Sequence, residues 1–473
     1  MHRYARPIVA LALTISAALA SAVSAPPNIV FVVTDDHSAP YVGTYGFPIS
    51  TPNLDRFAAE GMTFDRMFTT APQCAPSRAS FATGRSPVAA QASRFTSGVP
   101  RSIELFPQIL RREAGYFTGI IRRSHHLDPL TDHKNATTRE IVQRHQLDSM
   151  PQRFDHIDMG GTHLDTVQKT EAFFEKLPPA RPFFLWVNFN DPHHVWDAPA
   201  KNDPKRLPMP PDLPGTPEMR ADFARYLDEI VRLDEEFQSV LDVLRRRGFS
   251  ENTIVIFVGD NGAPLPRGKG SLYDRGLNVP LFVRWPGQVA PGARSTALIS
   301  GEDFAPTLLE AAGLKPVAAM SGKSFLPLLR GDTAHPAREF IFAIRGVHGS
   351  AILTEKTSSN GVDLGRAVRS ARHKLILNYT PWIPYGPVDC NRDPGWQAVL
   401  TARERGTLSP LFEQLYFTTP RPLVELYDLE TDPAETRNLA GDPAHAAVER
   451  QLKIALQERM ILDYDYLPLP LND

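Results

Sequence analysis

The chain has 473 residues, 42% of them hydrophobic and 22% charged, with a formal net charge of -2. That balance excludes a disordered or collagen-like chain and gives no reason to expect a nucleic-acid partner. The length permits a large buried core divided into one big and one smaller domain, and the 44 prolines suit long ordered loops over an active face.

In chain order, Arg3 and Arg6 precede an apolar stretch from Ile8 to Ala20 that ends in small residues at Ala20-Ser21-Ala22. This is the pattern of a cleaved export signal, here residues 1–25. The stretch falls short of the roughly 20 residues that a spanning helix needs, and no later segment approaches that length. An exported protein without stable membrane insertion is expected, periplasmic or secreted, or lysosomal in a eukaryotic host. Export invites disulfides, yet the chain has only Cys74 and Cys390. Either they form one bridge or each has another fate.

Asn28 to Thr34 is a short, continuous apolar run rich in β-branched residues, as expected of a strand buried on both faces of a parallel sheet, and it ends in Asp35-Asp36. Similar runs recur at Phe183 to Phe189, Thr253 to Val258 and Pro280 to Trp285. A helix is predicted from about Glu218 to Arg247, with apolar residues at three- and four-residue spacings and Gly248 to close it. Strands alternating with helices imply an α/β domain with a large, mostly parallel central sheet flanked by helices, over residues 26–345. Ligands of such sheets gather at the carboxyl ends of the strands. From about residue 346 strand-like segments without long intervening helices, at Ala367 to Tyr379 and Leu423 to Leu429, precede a last helix from about Ala444 to Leu462. They imply a smaller α+β domain over 346–473 with an antiparallel sheet. The stretch from Trp382 to Trp396 reads as an ordered loop.

Pro72 to Gly84 (PQCAPSRASFATG) places Cys74 and Arg78 four residues apart at a helix start, where Pro76 suits the first turn. Backbone N–H groups and the Arg78 guanidinium can stabilise negative charge there. Two acidic pairs follow strands: Asp35-Asp36, and Asp260-Asn261 within Gly259-Asp260-Asn261-Gly262. Three carboxylates and one amide oxygen form a hard oxygen set, suited to calcium or magnesium and not to zinc.

The run CAPSRASFATG resembles the sulfatase signature, in which Cys-x-Pro-Ser-Arg directs oxidation of the cysteine to formylglycine. The resemblance implies that Cys74 is matured by a formylglycine-generating enzyme. The hydrated aldehyde then attacks sulfur with one hydroxyl and expels sulfate through the other, which a serine could not do. It implies one calcium held by Asp35, Asp36, the residue derived from Cys74, Asp260 and Asn261, and an alkaline-phosphatase-like sandwich as the fold. Gly115-Tyr116-Phe117-Thr118 through Arg123 and His125 resembles the second sulfatase signature, whose Gly-Lys appears here as Arg122-Arg123. By position Arg123 replaces the sulfate-binding lysine. An arginine fork can grip an oxyanion but is a poor proton donor, and Arg122 replaces a glycine whose backbone conformation can be unusual. His125 matches the histidine that assists sulfate elimination, His193 in Asn190-Asp191-Pro192-His193 the one facing the leaving group, and Lys269 a basic residue touching sulfate.

The resemblance runs from about Asn28 to the C-terminus, where Glu425-Leu426-Tyr427-Asp428-Leu429 looks like the usual ending of the family. Three stretches resemble the heparan N-sulfatase branch: Thr118 to Ile121, Pro182 to Leu185 with Asp191-Pro192-His193, and Asp260-Asn261-Gly262 with Leu272-Tyr273. They imply a sulfated carbohydrate substrate, with the N-sulfo group of glucosamine as the bond broken. An O-sulfatase on another sulfated glycan is the alternative. A phosphate or phosphonate ester hydrolase of the same superfamily is disfavoured by the oxygen-only ligand set, and a silent binding protein by the intact nucleophile and metal positions. A homodimer is admissible but not specified. If Cys74 becomes an aldehyde, the protein has no disulfide and Cys390 stays unpaired.

Overall fold

The structure, a computed structural model, describes residues 26–95, 97–123, 127–128, 136–147, 149–334, 338–348 and 361–470. Within them the strands are β1 (Asn28–Thr34), β2 (Met62–Phe64), β3 (Met67–Phe68), β4 (Phe117–Arg122), β5 (His156–Met159), β6 (Phe183–Asn188) and β7 (Thr253–Gly259). They continue as β8 (Leu281–Arg284), β9 (Ala293–Ser295), β10 (Ile299–Ser300), β11 (Ile341–Arg345), β12 (Gly365–Arg369), β13 (His373–Asn378) and β14 (Val424–Asp428). Eight of them form one sheet in the order β5-β4-β6-β1-β7-β8-β2-β9, β10 pairs with β3, and β11-β12-β13-β14 form a four-stranded antiparallel sheet.

The central strands are apolar on both faces because helices cover both. Ile29, Phe31 and Val33 of β1 enter one core with Ile254, Ile256 and Val258 of β7. The alternate residues Val30, Val32, Val255 and Phe257 enter the opposite core with Leu233, Phe237 and Val240 of the long helix Pro217–Arg246. Strands β5, β4, β6, β1 and β7 run parallel, whereas β8 lies antiparallel to both β7 and β2. The Pro280 to Trp285 run is therefore a buried strand that reverses direction, which an apolar run cannot reveal. The long helix ends at Arg246, and Gly248 takes the left-handed φ of 76° that turns the chain out of it.

The C-terminal sheet begins with β11, on the amino side of residue 346. One face, with Ile341, Ala343, Ala367 and Ile376, packs on Phe68, Leu272 and Leu277 of the large body. The other is covered by Leu452, Leu456 and Met460 of the last helix, Ala446–Leu462. Two sequence expectations need correction here. Ala367 to Tyr379 is not one strand but the hairpin β12–β13, whose turn at Ser370 to Arg372 is closed by the Ser370 amide donating to the His373 carbonyl at 2.8 Å. The loop read from Trp382 to Trp396 ends at Asp393, because two short helices, Pro394–Glu404 and Pro410–Phe417, lie between β13 and β14. Their apolar residues Trp396, Val399 and Tyr416 pack on Phe223, Tyr226 and Leu227 of the long helix. The stability of these short helices comes from that tertiary face and not from a long local periodicity.

Candidate active site

Four neighbouring parallel strands, β4, β6, β1 and β7, end on one side of the sheet. The residues at or just past those ends are Arg122-Arg123, Asn188, Asp35-Asp36 and Asp260-Asn261. β1 has β6 on one side and β7 on the other, which makes its carboxyl end a switch point of the sheet. Asp36 turns inward with a left-handed φ of 67°, and its amide donates to Asp260 Oδ1 at 3.0 Å. Cys74 is the first residue of the helix Cys74–Thr83, with Gln73 as its N-cap. Its Sγ lies 3.1 Å from Asp35 Oδ1 and 3.9 Å from Asp36 Oδ1. One turn on, Arg78 donates from Nε to Asp260 Oδ2 at 2.8 Å, pairs with Asp35 at 3.4 Å and bonds Asn188 Oδ1.

Donor atoms of Asp35, Asp36, Cys74 and Asp260, all buried, lie within 4.8 Å of one another. Asn261 donates from Nδ2 to Asp36 Oδ1 at 2.8 Å and to the Gly262 carbonyl at 3.0 Å, and its buried Oδ1 has no hydrogen-bond partner. Burial, then Asp35, Asp389 and Asp260, raise the Asp36 pKa well above the usual carboxylate range although Lys269 opposes them. Burial and Asp35 raise Asp260 likewise, against Arg78. Such a concentration of like charge, with an amide oxygen left over, fits a divalent hard cation. Burial and Asp35 also push the Cys74 thiol well above its ordinary value.

Basic groups line the other side of the cluster. Lys269 Nζ is 2.9 Å from the Asp36 carboxylate and 2.6 Å from Asp389 Oδ2. Burial disfavours its charge, but Asp36 and Asp389 outweigh burial and hold the ammonium. Arg123 Nε is 3.2 Å from Asp35 Oδ2. His193 Nε2 is 3.8 Å from both Asp36 and Asp389, and burial, with Lys269 and Arg123 nearby, lowers its pKa to about 3. The structure thus brings Asp35, Asp36, Cys74, Arg78, Arg123, His193, Asp260, Asn261 and Lys269 to one place. His125 lies outside the described residues. Cys74 and Cys390 are both buried, free thiols.

The Arg122-Arg123 departure has a structural account. Arg122 has a left-handed φ of 67°, the conformation that glycine takes most cheaply. Its fully buried guanidinium bonds Glu236 of the long helix and Thr166. The next residue, Arg123, points to Asp35.

Three residues at this site were not anticipated from sequence. Asn188, the polar end of the β6 run, could have been found as a strand-end residue. Asp389 comes from the Trp382 to Asp393 loop, and His348 stands 4.0 Å from it and 3.1 Å from Gln73 Nε2. No local motif marks either.

The sulfatase family profile matches residues 27–314, and a profile described as N-sulphoglucosamine sulphohydrolase, C-terminal, matches residues 268–407. An ulvan-active sulfatase of Formosa agariphila is 30% identical over 447 residues, covering 89% of this chain and 72% of its own. N-sulphoglucosamine sulphohydrolase of Homo sapiens is 29% identical over 473 residues, covering 90% of this chain and 88% of its own. Among solved structures, a phosphonate monoester hydrolase of Silicibacter pomeroyi has a TM-score of 0.70 at 20% identity, over 93% of this chain and 96% of that one. Another, solved with its substrate D-glucosamine-2-N,6-O-disulfate, has a TM-score of 0.69 at 21% identity, over 94% and 99%. These likenesses establish the fold, an alkaline-phosphatase-like sandwich with a small antiparallel domain.

Proposed function

The chain belongs to the sulfatase family of hydrolases, and on that premise we propose that it removes the N-sulfo group of glucosamine from heparan-type fragments. The observation that carries the substrate is the match of residues 268–407 to the N-sulphoglucosamine sulphohydrolase C-terminal profile. The human N-sulphoglucosamine sulphohydrolase, matched over most of both chains, supports it.

In this reading Cys74 is converted to formylglycine, which supplies a hydrated aldehyde as nucleophile and a carbonyl that re-forms to release sulfate. Asp35, Asp36, Asp260 and Asn261 would hold calcium, which supplies positive charge next to the nucleophile and the sulfate oxygens. Arg78, fixed by Asp260 and Asn188, orients position 74. Asp260, whose carboxylate lies within 4.8 Å of the position-74 side chain, accepts the proton of the attacking hydroxyl. Arg123 and Lys269 grip the sulfo oxygens. Burial, then Lys269 and Arg123, disfavour the charged form of His193. In the substrate complex the negative charge of the sulfo group favours a proton on His193, against burial, Lys269 and Arg123, and His193 passes that proton to the leaving nitrogen. His125 assists sulfate elimination in the family, and that role is carried over here by motif alone. Export rests on residues 1–25.

A second reading is favoured by one observation, the 30% identity to the ulvan-active sulfatase: an O-sulfatase acting on another sulfated glycan. Matured protein should release sulfate from N-sulfoglucosamine in preference to O-sulfated sugars, including ulvan fragments, and the reverse preference refutes the N-sulfatase assignment. Mass spectrometry of the tryptic peptide Met67 to Arg78 from the native host tests the nucleophile. An intact cysteine there would overturn it.

A further inference from the structure

Behind the loop that carries Lys269 lies a second polar cavity of about 150 Å³, between the residues following Arg267 and the C-terminal sheet. Three arginines line it, Arg267, Arg345 and Arg421, together with Asn378, Tyr385 and Glu425. The carboxylates there are already engaged. Glu425 accepts from Tyr273 at 2.9 Å, Tyr427 at 2.5 Å and Asn378 at 2.6 Å, and Asp363 pairs with Arg421 at 2.6 Å. The arginines are unequally satisfied: Arg421 pairs with Asp363, and Arg267 donates to the Glu435 carbonyl at 2.5 Å and stacks on Tyr273. Nε of Arg421 and both Nε and Nη1 of Arg345 are buried without a hydrogen-bond partner, whereas Arg267 Nε pairs with Asp212 at 3.5 Å.

Arg345 is the extreme case. It is 3% exposed, at the end of β11, and makes no ion pair among the described residues. Burial, with Arg421, lowers its pKa against Asp363 and Asp389. An unpaired buried guanidinium is costly, and such unsatisfied donors call for an explanation. Its position is informative as well. A Cβ on Gly270 would lie 2.9 Å from Arg345 Nη1, and Gly270, with a left-handed φ of 77°, directly follows Lys269. The Gly270 amide donates to the Pro72 carbonyl at 2.8 Å, two residues before Cys74.

We propose that this cavity, lined by Arg345 together with Arg267 and Arg421, is a second oxyanion subsite that takes one sulfate or carboxylate group. An anion with several acceptor oxygens would answer the unpartnered N–H donors of Arg345 and Arg421. The volume excludes a whole sugar, since sites for drug-sized ligands span roughly 300–1,000 Å³, and admits a single small group. The source that the location favours is a second anionic substituent of the glycan being hydrolysed, which rests on the sulfatase reading above. A free inorganic oxyanion has the same chemistry.

The test uses full-length matured enzyme and the variants Arg345→Gln and Arg345→Lys. Three readouts are taken: hydrolysis of a small aryl sulfate, hydrolysis of glucosamine sulfates with and without a second sulfate or an attached uronate, and the shift of thermal midpoint with inorganic sulfate or phosphate. Loss of charge-assisted hydrogen bonds predicts a KM increase of at least about tenfold for the doubly anionic glycan in Arg345→Gln. The aryl sulfate should change less than about twofold, a difference within the small effects of substitutions outside a contact. Arg345→Lys should recover part of the loss. If both substrates are unaffected but the thermal shift by inorganic oxyanion is lost, the site binds the free ion. If aryl sulfate and glycan turnover fall together in both variants, Arg345 is structural and the subsite is overturned. It is equally overturned if no readout moves. Wild-type protein that releases no sulfate from any substrate would refute the sulfatase reading, while the oxyanion-dependent thermal shift would still report on the cavity.

Discussion

Replacing Arg122 by glycine restores the residue usual in the second sulfatase signature and should nevertheless destabilise this protein. Two backbone effects nearly cancel. Relief of a left-handed non-glycine residue is worth about 1 kcal/mol, and the extra freedom of glycine in the unfolded chain costs about 0.5–1 kcal/mol. The side chain then decides. Its fully buried guanidinium bonds Glu236 and Thr166, and removing one partner of a buried ion pair costs about 3–5 kcal/mol. Burial already lifts the Glu236 pKa to about 7, against Arg122, so the bare carboxyl would take up a proton and the loss should sit near the lower bound. Urea unfolding of Arg122→Gly should therefore show a loss of about 3 kcal/mol. Adding Glu236→Gln should restore part of it, because a neutral amide needs no proton taken up from solution to sit there. A single-variant loss below about 1 kcal/mol, or a double variant no better than the single, would refute the idea that this pair fixes the end of β4 and the direction of Arg123.

Three further outcomes are expected. Asp36→Asn removes one of three clustered carboxylates and should weaken calcium binding, read by calorimetry on protein stripped with chelator, by at least about tenfold, since ligand charge sets affinity at such sites. His193→Ala should slow glucosamine sulfates by about 10²–10⁴-fold, as loss of a general acid does, and an aryl sulfate with a good leaving group far less; equal losses would remove the leaving-group role. Glu302, buried and bonded to Arg459 at 2.8 Å and Ser321 at 2.6 Å, is pulled down from 4.5 to about 2 because Arg459 and Arg338 outweigh burial. A depressed carboxylate contributes stability that is full above its unfolded pKa and is lost as pH falls through the folded one. Glu302→Gln should then cost up to about 3 kcal/mol at neutral pH, at about 1.36 kcal/mol per unit. The gap to the unmodified protein should close as the pH falls from about 4.5 to about 2; a gap independent of pH would contradict the assignment.

What could be read in the sequence was what is local. Asp35-Asp36 and Asp260-Asn261 stand directly after apolar runs, so strand ends announce them. Cys74 and Arg78 sit one helical turn apart in a single motif. Asp389 and His348 are brought in by loops whose positions depend on packing far away in sequence, and no period or spacing marks them. The reversed direction of β8 was hidden because an apolar strand buried on both faces reads the same either way. The helices Pro394–Glu404 and Pro410–Phe417 are short, and what holds them is the aromatic face of another helix. For Arg122, sequence raised a doubt about geometry that the left-handed φ and the Glu236 pair answer.

Those two helices also determine how the molecule can be taken apart. The chain leaves β13, clasps the long helix, anchored where the Gly395 amide donates to Asp222 at 2.7 Å, and then returns as β14. The small sheet is thus sewn to the large body by its own thread. A fragment ending near residue 345 would lay bare Phe223, Tyr226 and Leu227, and a cut in the segment between the two helices would leave both pieces clasped together. Truncation therefore does not yield a minimal catalytic piece from this chain, and the two parts are expected to melt as one.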